Sequence, residues 1–318
     1  MSSLICITSC NRINEVKKFI FPFIDFCNKH DEFDFLLSLD GNIEEYKSFC
    51  DKFKIPLLYS EEREGVGLSK NRVLSKFPNY DYYFFIEDDV ELIDCSVFHN
   101  CINFSSSMNI PHVSFLVFGD SMINESKNGW QYKKGFKSGG VFNFFDAKAL
   151  FKVGGWHTCF AKYKRFGHSE HSYRFYNNGF QEYPFYALNS FAKCLISHDP
   201  PHVTKIEDEE YAGHYHSSEK NLIESKLLYY PIQIISPFFF NGYGMHYNNT
   251  VADFLQTNKK KYPLTHGKER RIALSEYYFE LFKIKSNWVH KIFYIFLSMI
   301  NKPFCTPMKH YIKTKLKQ

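Results

Sequence analysis

DYYFFIEDDVELI (residues 81–93) runs from an unbroken aromatic and apolar stretch into three consecutive carboxylates, Glu87, Asp88 and Asp89. A strand made of Tyr82 to Ile86 belongs in a core. One that closes on three acids either reaches solvent there or holds something positive. Upstream, LICITS (4–9), FDFLLSLDG (33–41) and IPLLYS (55–60) have the same short, apolar character. Between them, NEVKKFIFPFIDFCNK (14–29), IEEYKSFCDKF (43–53) and GLSKNRVLSKF (67–77) carry apolar residues at helical spacing, and Pro22 should kink the first. Fully apolar strands alternating with helices predict an α/β fold, with a mainly parallel sheet covered on both faces. Ligands of such sheets bind beyond the carboxyl ends of the strands, which puts residues 9–12, Asp40 and residues 87–89 on one rim.

Beyond residue 95 the pattern becomes mixed. A helix over 95–107 precedes a strand over 112–119, then an aromatic, Gly-rich stretch over 129–145. Helices over 147–153 and 169–177 and strand-like sequence over 183–197 follow. Residues 220–318 read as helical with polar links such as NGYGMHYNNT. After Glu280 there is no acidic residue, while eight lysines accumulate, seven flanking WVHKIFYIFLSMI (288–300) and Lys291 within it. Two readings fit that tail: a helix in contact with a membrane surface through residues 283–318, or a final helix docked on the core with solvated lysines.

The 318 residues are 44% hydrophobic and 23% charged, as in globular chains. A net charge of +5 is too modest to argue for nucleic acid, and the tail lacks Gly-aromatic or arginine patterns. Nine cysteines without CxxC argue against a zinc ribbon or a secreted disulfide framework and fit a reducing cytosol. No leader pattern opens the chain and no apolar run reaches the ~20 residues of a membrane span. A cytoplasmic protein is expected, with contact at the inner membrane face if the tail binds lipid.

Three adjacent acids repel one another, and a hard divalent cation relieves that cost, typically sharing one or two carboxylates with substrate phosphates. Alternation turns Glu87 and Asp89 to one side, so Asp89 is the first choice of ligand and Glu87 the second. The plain alternative is a solvated strand end followed by a turn. Upstream, Gly65-x-Gly67 opens a helix whose N-terminus suits phosphate or ribose oxygens, yet it is neither a dinucleotide fingerprint nor a Walker loop.

Taken together, ITSCNR, LSLDG, GVGLSKNRVL and YYFFIEDDVEL resemble, in this order, the nucleotide-sugar glycosyltransferases of the GT-A fold, in the inverting family 2 group. The resemblance covers roughly residues 4–175, with Lys70 where the family has Arg and Glu87 where its D-x-D begins with Asp. It implies a Rossmann-like mixed sheet with a helical C-terminal extension. A catalytic domain would span 1–220 (nucleotide-sugar half about 1–95, acceptor half about 96–220), followed by 221–318. It also implies a divalent metal, Mn²⁺ or Mg²⁺, on Glu87 and Asp89. A donor, by preference a UDP-sugar, would lie against Thr8, Asn11, Arg12, Asp40, Gly67, Lys70, Asn71 and Asp88.

SGGVFNFFDAKALFKVGGWHTCFAKYKRFGHSEHSYRFYNNGF resembles the family's acceptor-side segment, with His157 where Asp is usual. One register makes Glu170 the general base and the other favours His168. A carboxylate at a helix start is held ionised by the dipole, which favours Glu170. The alternative for Glu170 and Arg174 is an ordinary ion pair four residues apart. Among the histidines 198, 202, 214 and 216, His216 is the expected third metal ligand. Trp130, Gly155, Trp156 and Arg174 are expected at the sugar or acceptor, although single aromatics more often pack in cores. The implied activity is metal-dependent, inverting sugar transfer to a glycan or lipid-linked glycan in bacterial capsule, lipopolysaccharide or lipooligosaccharide assembly. The alternatives are a nucleotidyltransferase of related fold, whose Gly-rich basic loop after the first strand is missing here, and a non-catalytic partner in glycan assembly.

Overall fold

The structure is a computed structural model and describes residues 1–41, 43–60, 65–117, 122–136, 138–156, 167–177, 179–198, 246–247 and 288–301, with single positions at 282, 303, 308, 309 and 312. Four strands, β1 (Ser3–Ser9), β2 (Phe33–Asp40), β3 (Leu57–Ser60) and β4 (Tyr82–Glu87), are joined by helices. These are α1 (Ile13–Phe19), α2 (Phe21–Cys27), α3 (Glu44–Phe53) and α4 (Val66–Lys76). The kink expected at Pro22 is a break: α1 ends before Ile20 and α2 restarts with the proline in its first turn, where its missing N–H costs nothing.

β5 (Val90–Leu92), α5 (Ser96–Met108), β6 (His112–Ser114), β7 (Ile123–Lys127), β8 (Trp130–Gly135) and β9 (Phe142–Asp146) follow. Next come α6 (Ala147–Val153), α7 (Gly167–Asn177), β10 (Phe185–Leu188), α8 (Phe191–Cys194) and β11 (Leu195–Ser197). β12 (His246–Tyr247) and α9 (Trp288–Asn301) complete the described elements. The main sheet has the order β12-β3-β2-β1-β4-β9-β6. The β3-β2-β1-β4 core is parallel, while β9, β6 and β12 are added antiparallel. The chain is therefore mixed α/β, mainly parallel, as the sequence predicts.

Alternation explains the layers. Ile5, Ile7, Leu37, Phe84 and Ile86 point into one core with Val16, Phe23, Phe49 and Phe98 from α1, α2, α3 and α5. Leu4, Cys6, Leu36, Tyr83 and Phe85 point into the other with Val73, Leu74, Leu150 and Phe175 from α4, α6 and α7. From β1 the chain builds outward through β2 and β3, then crosses back to lay β4 on the other side of β1. The switch point thus lies between the tips of β1 and β4, where Thr8 pairs with Glu87.

Three expectations need correction. Of the stretch 112–119, the described residues 112–117 form the three-residue β6 and an isolated bridge at Val117 to Ser138. The strand-like stretch 183–197 divides into β10, α8 and β11, because β10 and β11 belong to different small sheets. β12 falls within a link read as polar connection and pairs with the edge strand β3. Apart from position 282, the rest of 220–287 lies outside the described residues.

Candidate functional site

The β1 exit carries Asn11 in the left-handed region (φ 54°), and its Oδ1 would stand 3.1 Å from a Cβ placed on Gly41, so the β1 and β2 tips abut. Arg12 follows and reaches across the switch point. Its guanidinium pairs with Asp88 through Nη2 and with Asp89 through Nη1 at 3.0 Å. Ser9 Oγ donates to Asp88 Oδ2 at 2.5 Å, and Tyr46 OH lies 2.8 Å from Ser9 Oγ while accepting from the Arg12 N–H at 2.7 Å. Asp88 and Asp89 are each 2% exposed, so the acids do not point into bulk water.

Burial pushes the Asp88 carboxyl up to about 7 against the pull of Arg12, and burial with Glu87 as neighbour raises Asp89. Burial lowers the Arg12 guanidinium, but the three acids together outweigh it and raise it on balance. Asp89 Oδ1 is buried without a hydrogen-bond partner. An orphaned carboxylate oxygen beside the half-buried Glu87 is a donor set that suits a hard divalent cation.

Asp40 closes β2 and accepts from the Gly65 N–H at 2.7 Å, with Arg72 Nη2 at 3.8 Å. Its charge therefore occupies the positive N-terminus of α4. Lys70, one turn into α4, is 2% exposed and lies over the rings of Trp156 (5.3 Å) and Phe85 (6.0 Å). Burial lowers its pKa, partly offset by the charge of Glu87. Across the rim, the Glu87 N–H donates to Val141 O and Asn143 Nδ2 to Gly140 O, and Gly140 is packed against His168. Arg12, Asp40, Lys70, residues 87–89 and His168 thus converge on one rim from five segments.

Other expected ligand contacts are consumed inside the protein. Thr8 Oγ1 donates to Ile86 O at 3.3 Å. Asn71 holds the Trp156 backbone at both ends, Oδ1 accepting from Trp156 N and Nδ2 donating to Trp156 O, each at 2.7 Å. A Cβ on Gly67 would meet Trp156 Cβ at 3.2 Å, and one on Gly155 would meet Asn71 Oδ1 at 2.2 Å. Gly67, Asn71 and Gly155 thus pack α4 against the Gly154–Trp156 turn, while Thr8 ties β1 to β4.

Trp156 is 2% exposed, stacked on His171 at 4.1 Å and edge-on to Phe85 and Phe145, so neither ring face is open to a sugar. Arg174 is fully buried and donates to Val153 O at 2.9 Å, which fixes α7 to the end of α6. Trp130 donates to Ser107 Oγ at 2.9 Å in the last turn of α5. That sets it at the first residue of β8, beside α5.

His168 donates through Nε2 to Ser138 O at 3.2 Å, and burial beside Lys70 lowers it to about 4. Its ring packs against Gly140, and its Nε2 is spent on the Ser138 carbonyl. Glu170 lies in the first turn of α7, and its side chain is outside the described residues, as are His157, His202, His214 and His216. His198 bonds Glu91 at 2.7 Å and stacks on Phe19, while its N–H donates to Asp89 O. The rim expected from the strand tips includes Ser9 but not Tyr46, which joins it through Ser9 and the Arg12 N–H. Ser9 sat inside a quoted motif, but nothing local marks Tyr46.

The buried histidines give a pH prediction. His112 donates Nδ1–H to Phe144 O, and burial lowers it to about 3; burial also holds His171 well below its usual value. The unfolded chain takes up a proton on His112 below about 6.5 that the folded chain refuses, so this residue's contribution falls with pH, by about 2 kcal/mol at pH 5. Asp88, raised in the fold, acts in the opposite sense between about pH 4 and 7. The comparison is therefore made by variant: His112→Gln should reduce the pH 7 minus pH 5 difference in urea unfolding free energy by about 2 kcal/mol. An unchanged difference would show that His112 is not held neutral.

No protein-family model matches the chain, and no curated protein sequence does. Among solved structures, the mannosyltransferase PcManGT of Pyrobaculum calidifontis, in complex with GDP-Man and Mn²⁺, is similar over 95% of this chain and 87% of its own. The identity is 11% and the TM-score 0.51. S. aureus TarS 1–349 is similar over 99% and 92% respectively, at 11% identity and TM-score 0.46. The likeness to PcManGT establishes that the chain has the GT-A type of mixed sheet.

Proposed function

We propose that this chain is a nucleotide-sugar glycosyltransferase that acts with inversion and uses a divalent cation, Mn²⁺ or Mg²⁺. One observation carries the reading: the switch point of a GT-A-type sheet gathers three acids, one of them with a buried, unpartnered oxygen. Glu87 and Asp89 would hold the cation, which supplies positive charge for a departing diphosphate when bound. Lys70, buried within reach of Glu87, adds a second positive charge to the same corner. Ser9 and Tyr46 hold Asp88 and the Arg12 loop in place, so the nucleotide side of the rim is preorganised.

Glu170 would accept the proton of an acceptor hydroxyl as that oxygen bonds to the anomeric carbon. The bond from that carbon to the diphosphate breaks, and nucleoside diphosphate leaves. UDP-sugars are the first donors to test, and GDP-mannose follows because PcManGT holds GDP-Man. A glycan or lipid-linked glycan of bacterial surface polysaccharide, made at the cytoplasmic face of a membrane, is the proposed acceptor setting.

The test is a panel of nucleotide sugars in thermal denaturation, each with Mn²⁺ and with a chelator. One donor should raise the melting temperature by several degrees, as saturating ligand does, and only with metal. A flat panel would overturn the reading. Transfer activity retained in Glu170→Ala would refute that residue as the base while leaving the donor site intact.

A further inference from the structure

α9 turns its apolar side outward. Trp288 (70% exposed), Ile292 (56%), Phe293 (53%), Phe296 (60%) and Met299 (42%) fall within an arc of about 140° on a helical projection. The opposite side buries Ser298 and half-buries Lys291, Tyr294 and Ile295, and Ile295 packs near Met308 and Phe282. A globular helix normally does the reverse. Five large side chains left in water at helical spacing form a contiguous patch of the kind that marks an interaction surface.

Charge identifies the partner. The chain carries +5 overall, yet eight lysines and no carboxylate follow Glu280, so residues 1–280 carry −3. A second copy of this surface would bring sixteen lysines together, which repulsion opposes. An anionic lipid surface suits both the lysines and the apolar stripe. The helix has 14 residues and is about 21 Å long, short of a bilayer's ~30 Å hydrocarbon core. Among the described residues no helix is long and apolar enough to cross a membrane.

We propose that α9 lies in the plane of an anionic bilayer, with the Trp288–Met299 stripe in the headgroup–acyl boundary and the flanking lysines on lipid phosphates. This deepens the proposal of a lipid-linked acceptor by naming the face turned toward it, and it is tested without any sugar transfer.

The experiment is flotation of the full chain with phosphatidylcholine vesicles, with and without phosphatidylglycerol, at low and high salt. Binding should require the anionic lipid and fall at high salt. Phe293→Glu/Phe296→Glu should weaken it roughly 100-fold, with circular dichroism and melting temperature unchanged. Lys313→Gln/Lys315→Gln/Lys317→Gln should weaken it about 10-fold, and the donor-induced thermal shift should persist in both variants. Wild-type protein that stays with neither vesicle, or equal binding by the double glutamate variant, overturns the proposal. So does a wild-type dimer that becomes a monomer on substitution, since that assigns the face to a second copy.

Discussion

Arg12→Ala is expected to lose about 3–5 kcal/mol of stability in the presence of a chelator, the usual cost of stranding a buried carboxylate by removing its partner. Here two are stranded, because Asp88 and Asp89 share the one guanidinium and both are almost completely covered. Arg12 itself retains some exposure, which tempers its own contribution but not the cost to the acids. The same variant should regain part of the loss when Mn²⁺ is added, about 2.7 kcal/mol at a hundredfold excess over the dissociation constant. Wild-type protein should gain less, since Arg12 already neutralises the pair. Urea unfolding of both proteins, with chelator and with Mn²⁺, measures the four free energies. An Arg12→Ala protein as stable as wild type, or one indifferent to the metal, would show that these acids do not form a cation site.

The second large effect lies at the Gly154–Trp156 turn. Gly155→Ala sets a Cβ 2.2 Å from Asn71 Oδ1 and 2.9 Å from its Cγ, so the amide must leave both Trp156 backbone groups. Loss of two buried hydrogen bonds, with partners stranded, predicts about 3 kcal/mol of destabilisation. Asn71→Ala should cost a similar amount by removing the same bonds, and adding Gly155→Ala to it should cost little more because the clash has gone. Strongly non-additive free energies in this cycle would identify a single packing unit. Additive losses would contradict it.

The layout of the rim was legible before any coordinates, because strand tips follow from periodicity and the switch point follows from strand order. What the motifs could not reveal is where polar side chains are spent. Asn71 and Thr8 occupy motif positions yet satisfy the protein's own backbone, and sequence spacing cannot separate a donor that meets a ligand from one that meets a carbonyl 85 residues away. Trp156 and Arg174, expected at a sugar or acceptor with core packing or an ion pair as the alternatives, are buried. Tyr46 enters the site from α3 with no local signature and meets Ser9 only when α3 packs on β1. β7 escaped notice because INESK is mostly exposed and lacks the apolar alternation that marks a half-buried strand.

The proposed sugar transfer requires the acids at the end of β4 to hold a cation beside a nucleoside diphosphate. The direct test is calorimetric titration of the best-stabilising nucleotide sugar into wild-type protein and into Asp89→Asn, with Mn²⁺ and with chelator. Metal-dependent binding in wild type, weakened at least roughly 100-fold in Asp89→Asn, is the predicted result. Equal affinity with and without metal, or an Asp89→Asn protein that binds as wild type does, would contradict it.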